Sequence, residues 1–519
     1  MIPVYSPYSA STVASALNRL RAMPRGLIRS SRTKADVLLA VAAQIFQQAA
    51  TFLTGVLIAR AIGVEQYGIS NLVRNTFTIA SIVAPLGLEI WLLRFCGVQK
   101  AQGREILGTL RFIRSVAFLI NIGLLFCILL PYDYLISHFV YTYPNFVMLL
   151  GLSLLVVPAA ADLAILGSVY KSESRFGAYA LLTIGVQSLV RLLLVASVLQ
   201  ASPTVLTVIL INIAQLALSY VGTLVHFHRR LRGRIAVPPV IEDVGGGARR
   251  AFEILSVSAW FAGSTLVYSA LRLVDVLLLG AFGTAKAVGE YAALSAVAQL
   301  VQLYPLAASQ RIGPQVAAAY ERGDTDGLRA IYRRYARQTA LVAGFVFGGV
   351  AWFGSHLDLL FGKSFAFQPA VAGLIALGQL VSAIFAPLGF CLSMTGRHRL
   401  EFALLLGGIV VLVTSCCLSI PGYDQAGCAA SVALAFTAVN VARSALVCRI
   451  FGFLPVTWRD ALPPLAALPL AACADLLVRP LGERTLLTTA AACALYAAFY
   501  LVLVIWPSSL RRDVACGGR

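Results

Sequence analysis

Runs of about 20 apolar residues recur along almost all of this chain, and each can cross a hydrocarbon core of about 30 Å as an α-helix. They leave no stretch long enough for a soluble domain of ordinary size. With 59% hydrophobic residues, 12% charged and a mean hydropathy of +0.84, the chain has too few polar residues to clothe a water-soluble surface. It reads as an all-α polytopic membrane protein.

Six spans are expected at about 36–58, 69–92, 113–133, 146–168, 177–199 and 204–225, and six more at about 253–280, 290–311, 336–354, 367–392, 400–420 and 426–447. Two further segments, about 461–478 and 486–506, bring the expectation to about fourteen helices. The domain reading is a basic arm (1–35), a six-helix bundle (36–225), a basic linker (226–252), a second six-helix bundle (253–450), and two additional helices with a short tail (451–519). Pro85, Pro158, Pro305 and Pro387 fall inside spans, where each removes a backbone donor; they are read as kinks or as ordinary membrane-helix prolines.

Positive residues flanking spans are retained on the cytoplasmic side. Of the 41 Lys and Arg, only Arg60, Lys286, Lys363, Arg479 and Arg484 fall in the connections of one side, and Arg74, Arg191 and Arg272 lie within spans. The rest crowd the opposite side, which places both termini in the cytoplasm of a bacterial cell with the chain in its inner membrane. The net charge of +19 follows from this topology and an anionic inner leaflet, so membrane lipids rather than nucleic acid are the expected partners. The arm has no apolar core with a small-residue cleavage site; it is read as retained, either as an interfacial helix carrying Val13, Leu17, Leu20 and Met23 or as a disordered segment. The ten cysteines and five histidines show no metal-ligand spacing, and no cofactor is expected.

The segment LIARAIGVEQYGISNLV around Gly63 is similar to LLLGAFGTAKAVGEYAALSAV around Gly283. Tyr67 and Tyr291 are 224 residues apart, and so are Arg175 and Arg399, each at a turn before a span. Two pseudo-symmetric bundles related by an axis along the membrane normal follow.

These motifs resemble the Wzx-type polysaccharide flippases of the multidrug/oligosaccharidyl-lipid/polysaccharide exporter superfamily, over roughly residues 36–450. The resemblance is carried by Arg60, Gly63, Tyr67 and Gly68 in RAIGVEQYG, by Asp275 in LRLVDVLLLGAFG, by Gly289 and Tyr291, and by the polar turn TGRHRLEF. It implies transport of an isoprenoid-diphosphate-linked oligosaccharide to the outer leaflet by alternating access, ahead of a polysaccharide polymerase or export machinery.

Such a cargo needs cations and hydrogen-bond donors inside a low-dielectric space, and arginine's planar fork binds phosphate oxygens in pairs. Arg74, Arg191 and Arg272 lie about 8–12 Å below the outer boundary by helical rise, and are expected to form a cationic ring in a central cavity. Arg60, at the outer end of the first span, joins the set. Each has a plainer alternative: Arg74 snorkelling outward, Arg191 lining a helix contact, Arg272 neutralised by Asp275 one turn away. Glu89, Asp162 and Asp275 are the candidates for coupling to a proton or sodium ion, against purely structural pairing. Asp475 is read as peripheral.

Two rival functions stay open. A drug antiporter of the same superfamily would favour carboxylates over arginines in its cavity. An integral-membrane glycosyl polymerase, ligase or acyltransferase would need a clustered acid/base set, and the longest outer connection, PYDYLISHFVYTYP, is short for one. The reading is therefore a transporter, not an enzyme.

Overall fold

The computed structural model describes residues 31–102, 107–139, 143, 145–173, 176–231, 247–395, 397–453, 456–481 and 485–505. Most of the basic arm and of the central linker, Arg175, Arg484 and the tail beyond 505 lie outside them. The described residues are almost all helical, without a strand, and ten helical segments are long and apolar enough to cross a membrane by length and composition.

The first half comprises α1 (Ser31–Ile62), α2 (Val64–Val83), α3 (Leu88–Gln102), α4 (Leu107–Phe139), α5 (Phe146–Leu154), α6 (Val157–Ser172), α7 (Phe176–Ala180), α8 (Val186–Ala201) and α9 (Val205–His226). The second comprises α10 (Gly247–Phe282), α11 (Ala285–Ala298), α12 (Leu303–Glu321), α13 (Thr325–Phe353), α14 (Asp358–Phe361), α15 (Pro369–Met394), α16 (His398–Phe451), α17 (Trp458–Val478) and α18 (Leu486–Tyr500). Helices therefore occupy every position where a span is expected, and several expected spans are two helices joined at a break.

Three of the intramembrane prolines mark such irregularities. At Pro85 the second span divides into α2 and α3, with Leu86 and Gly87 at φ 58° and 71°. The break lets the backbone pass against α10: a Cβ on Gly87 would lie 2.2 Å from the Ser258 carbonyl oxygen. Asn121 of α4 donates to the Ala84 carbonyl at 2.8 Å, satisfying an acceptor that the interrupted helix leaves open. Pro158 opens α6 after the break at Leu155 and Val156. Pro387 sits inside α15, where its missing N–H frees the Ala383 carbonyl; the Tyr335 hydroxyl donates to that oxygen at 3.4 Å, and Tyr332 to the Pro387 carbonyl at 3.2 Å.

The continuous 54-residue α16 is in fact two helices, because Asp424 (φ 47°, ψ −126°) reverses the chain. Ser419 and Ser431 meet at 3.0 Å across the turn, and Glu401 meets Arg443 at the far end, so the two arms run antiparallel. They match the eleventh and twelfth expected spans.

The two halves approach most closely where α2 crosses α11. A Cβ on Gly68 would lie 2.1 Å from the Ala285 carbonyl oxygen, and one on Gly289 2.1 Å from that of Val64. Only glycine permits backbones to pack at this distance, which gives both motif glycines a physical reason. The last two helices lean on α13: Gly344 and Gly348 admit α17, and Tyr496 and Tyr500 of α18 donate to the carbonyls of Phe345 and Leu341 at 2.7 and 2.9 Å.

Candidate functional site

Three arginines meet carboxylates among the described residues. Arg114 of α4 grips Asp162 of α6 with both arms, Nε to Oδ1 at 2.6 Å and Nη2 to Oδ2 at 2.7 Å, and the Tyr220 hydroxyl adds a third bond at 2.8 Å. Arg443 closes the α16 hairpin on Glu401, donating through Nε at 3.1 Å and also through Nη2, while Nη1 reaches Asn440 at 3.1 Å. Arg479 meets Asp475 one turn away at 3.2 Å.

Arg74, Arg191 and Arg272, the three read as lying within spans, have no ion-pair partner among the described residues. Arg74 on α2 is half-buried and its Nη2 donates to Asn71 Oδ1 at 2.7 Å. Asn71 is itself anchored, since its amide nitrogen donates to the Tyr67 carbonyl at 2.7 Å. This i, i+3 arrangement fixes the guanidinium without neutralising it. Arg191 on α8 has a buried Nε with no hydrogen-bond partner among the described residues, and it lies within electrostatic reach of Arg74 and the Tyr67 hydroxyl. The two like charges sit on helices from separate parts of the first half and repel each other.

Arg272 belongs to a different cluster on α10. It is exposed, its guanidinium carbon stands 6.0 Å from the Tyr268 ring centroid, and no hydrogen-bond partner meets it among the described residues. It lies within electrostatic reach of Asp275 but forms no ion pair with it. Asp275 is turned inward, accepting from the Tyr291 hydroxyl at 2.7 Å on Oδ2, with Oδ1 buried and unpartnered. The motif tyrosine Tyr291 therefore serves the motif aspartate.

Arg60 is engaged elsewhere. Its Nε and Nη2 donate to the Leu360 and Leu359 carbonyls at 2.5 and 2.6 Å, capping the short α14 from the end of α1. Glu89 opens α3 with Oε2 buried and unpartnered, and Lys171 is its electrostatic neighbour. Asp162 is the carboxylate held by Arg114 and Tyr220.

A family profile described as "Polysaccharide biosynthesis protein" matches residues 33–311. The chain belongs to this family. The match includes Arg60, Arg74, Arg191, Arg272 and the three coupling candidates, and stops short of the Glu401–Arg443 pair. No curated protein matches the chain significantly. Among solved structures, "Lipid II flippase MurJ, inward closed conformation" superposes with a TM-score of 0.70 at 13% identity, covering 92% of this chain and 100% of that one. An inward-facing multidrug resistance MATE family transporter of the MOP superfamily gives 0.61 at 12% identity, covering 80% and 98%. A MOP superfamily transporter from Pyrococcus furiosus gives 0.55 at 13% identity, covering 83% and 98%. At these identities the likeness is one of fold, and it places this polysaccharide biosynthesis family member in the multi-pass membrane architecture that its motifs resemble.

Asn71, which orients Arg74, and the Glu401–Arg443 pair were not singled out in the sequence. The i, i+3 spacing of Asn71 and Arg74 is a readable signal; the 42-residue separation of Glu401 and Arg443 is not, because only the reversal at Asp424 makes them neighbours.

Proposed function

We propose that this family member is a flippase, moving an isoprenoid-diphosphate-linked oligosaccharide from the cytoplasmic to the outer leaflet of a bacterial inner membrane and presenting it to a polysaccharide polymerase. In this reading residues 36–225 and 253–450 are two pseudo-symmetric bundles that rock about the cargo, with both termini cytoplasmic. The observation that carries it is the unneutralised pair Arg74 and Arg191, with the Arg191 Nε buried and unpartnered. A diphosphate supplies the missing counter-charge and acceptors in one group. Arg272 offers a third cation from α10, while Arg60, occupied by two carbonyls, contributes to the cavity's outer boundary rather than to the cargo. Of the coupling candidates, Glu89 and Asp275 keep an unpartnered carboxylate oxygen and suit a transported cation better than Asp162.

The test is polysaccharide export at matched protein level. Arg74→Ala and Arg191→Ala are expected to reduce it strongly, lysine at either position to restore part of it, and Arg74→Glu to abolish it. Normal export by Arg74→Glu and Arg191→Glu at normal abundance would sink the proposal.

A further inference from the structure

We propose that a tyrosine–glutamine wall on the second half of the chain, beside Arg272, is the subsite that holds the sugar portion of the cargo. The inference rests on the flippase reading and adds to it a recognition element that acts on the saccharide rather than on the diphosphate.

Residues of four helices contribute to it. Tyr268, one turn before Arg272 on α10, leaves half of its surface exposed although it lies within an apolar span. Tyr304 at the start of α12 donates through its hydroxyl to Gln338 Oε1 on α13 at 2.5 Å. The neighbouring Tyr335 sets its ring 5.9 Å from that of Tyr304 at a tilt of 43°, and its hydroxyl is within electrostatic reach of both Tyr304 and Tyr268 of α10. Gln302, just before α12, donates through Nε2 to both the backbone oxygen and Oε1 of Gln379 on α15 at 3.0 Å.

Two features point to a polar ligand. Gln338 and Gln379 are each engaged through Oε1, and no acceptor meets their amide nitrogens among the described residues. Amide donors left open inside a membrane span are costly against lipid and belong on a water-filled or ligand-filled space. The second feature is the half-exposed Tyr268 ring, with the Arg272 guanidinium 6.0 Å from its centroid. A pyranose presents C–H groups on one face and hydroxyls around its rim, so it fits an aromatic platform flanked by amide donors. A lipid tail would use neither the amides nor the cation. Arg272 lies on the same face of α10 as Tyr268 and marks where the diphosphate end would meet the sugar.

The full chain in nanodiscs would be titrated with two lipids: undecaprenyl diphosphate, and the lipid-linked saccharide extracted from cells lacking this chain. Wild type is expected to bind the glycosylated lipid more tightly. Tyr268→Ala and Gln338→Leu should each lower that preference about 5- to 10-fold while leaving undecaprenyl diphosphate binding unchanged, and Tyr268→Phe should retain it. Because Tyr268 is half-exposed, its truncation should not unfold the protein, and an unaltered melting profile would verify this. Wild-type preference in folded Tyr268→Ala and Gln338→Leu overturns the sugar subsite and leaves the flippase reading standing. Failure of wild type to bind either lipid, or unchanged binding of both by an Arg74→Ala, Arg191→Ala double variant, strikes the flippase reading itself.

Discussion

Arg114 holds Asp162 in a two-armed bond, Nε to Oδ1 and Nη2 to Oδ2 at 2.6 and 2.7 Å, and Tyr220 completes the carboxylate's coordination at 2.8 Å. A carboxylate so fully paired joins α4, α6 and α9. Asp162→Asn should therefore cost about 3 kcal/mol of stability by leaving Arg114 half-buried and unpaired. An Arg114→Leu, Asp162→Leu double variant should recover much of that loss, and both should keep the ion-gradient dependence of transport. Thermal unfolding in detergent, read with transport across an imposed gradient, separates the two effects.

The crossing of α2 and α11 admits no side chain at Gly68 or Gly289, because a Cβ at either would lie 2.1 Å from a backbone carbonyl oxygen of the opposite helix. Gly289→Ala is expected to destabilise this close approach by about 1–3 kcal/mol. A cysteine pair placed at Val64 and Ala292 should crosslink more slowly in Gly289→Ala than in an otherwise identical background. Equal crosslinking rates would show that the crossing absorbs a methyl group.

Tyr335 donates to the Ala383 carbonyl that Pro387 leaves without its helical donor. Restoring an N–H through Pro387→Ala should make that hydroxyl redundant. Tyr335→Phe is then expected to cost about 1 kcal/mol in the native background and close to nothing beside Pro387→Ala, a coupling that a double-mutant cycle on unfolding measures directly.

Arg60 caps α14 through the Leu359 and Leu360 carbonyls. Its loss should loosen the connection from Asp358 to Phe367 rather than remove a cargo contact. In Arg60→Ala, amide exchange across this segment should rise while binding of undecaprenyl diphosphate stays near the wild-type value. A loss of binding as large as that in Arg74→Ala would instead return Arg60 to the cargo site.

The all-helical membrane class and the family resemblance were legible in the sequence for a local reason. An apolar run of about 20 residues satisfies its own backbone as a helix whatever surrounds it. Motif glycines such as Gly68 and Gly289 were legible too, although their reason, a backbone crossing, is visible only with both helices in place.

The partners of each intramembrane charge were decided by tertiary structure alone. Arg74, Arg114, Arg191 and Arg443 are the same residue type in similarly apolar surroundings, yet two meet carboxylates 48 and 42 residues away and two do not. Asp162 and Asp275 likewise read as equivalent candidates until one is seen held by an arginine and the other by a tyrosine. A charge's effect is set by what stands within a few ångströms of it, and across a bundle those neighbours come from chain segments whose separation hydropathy does not encode.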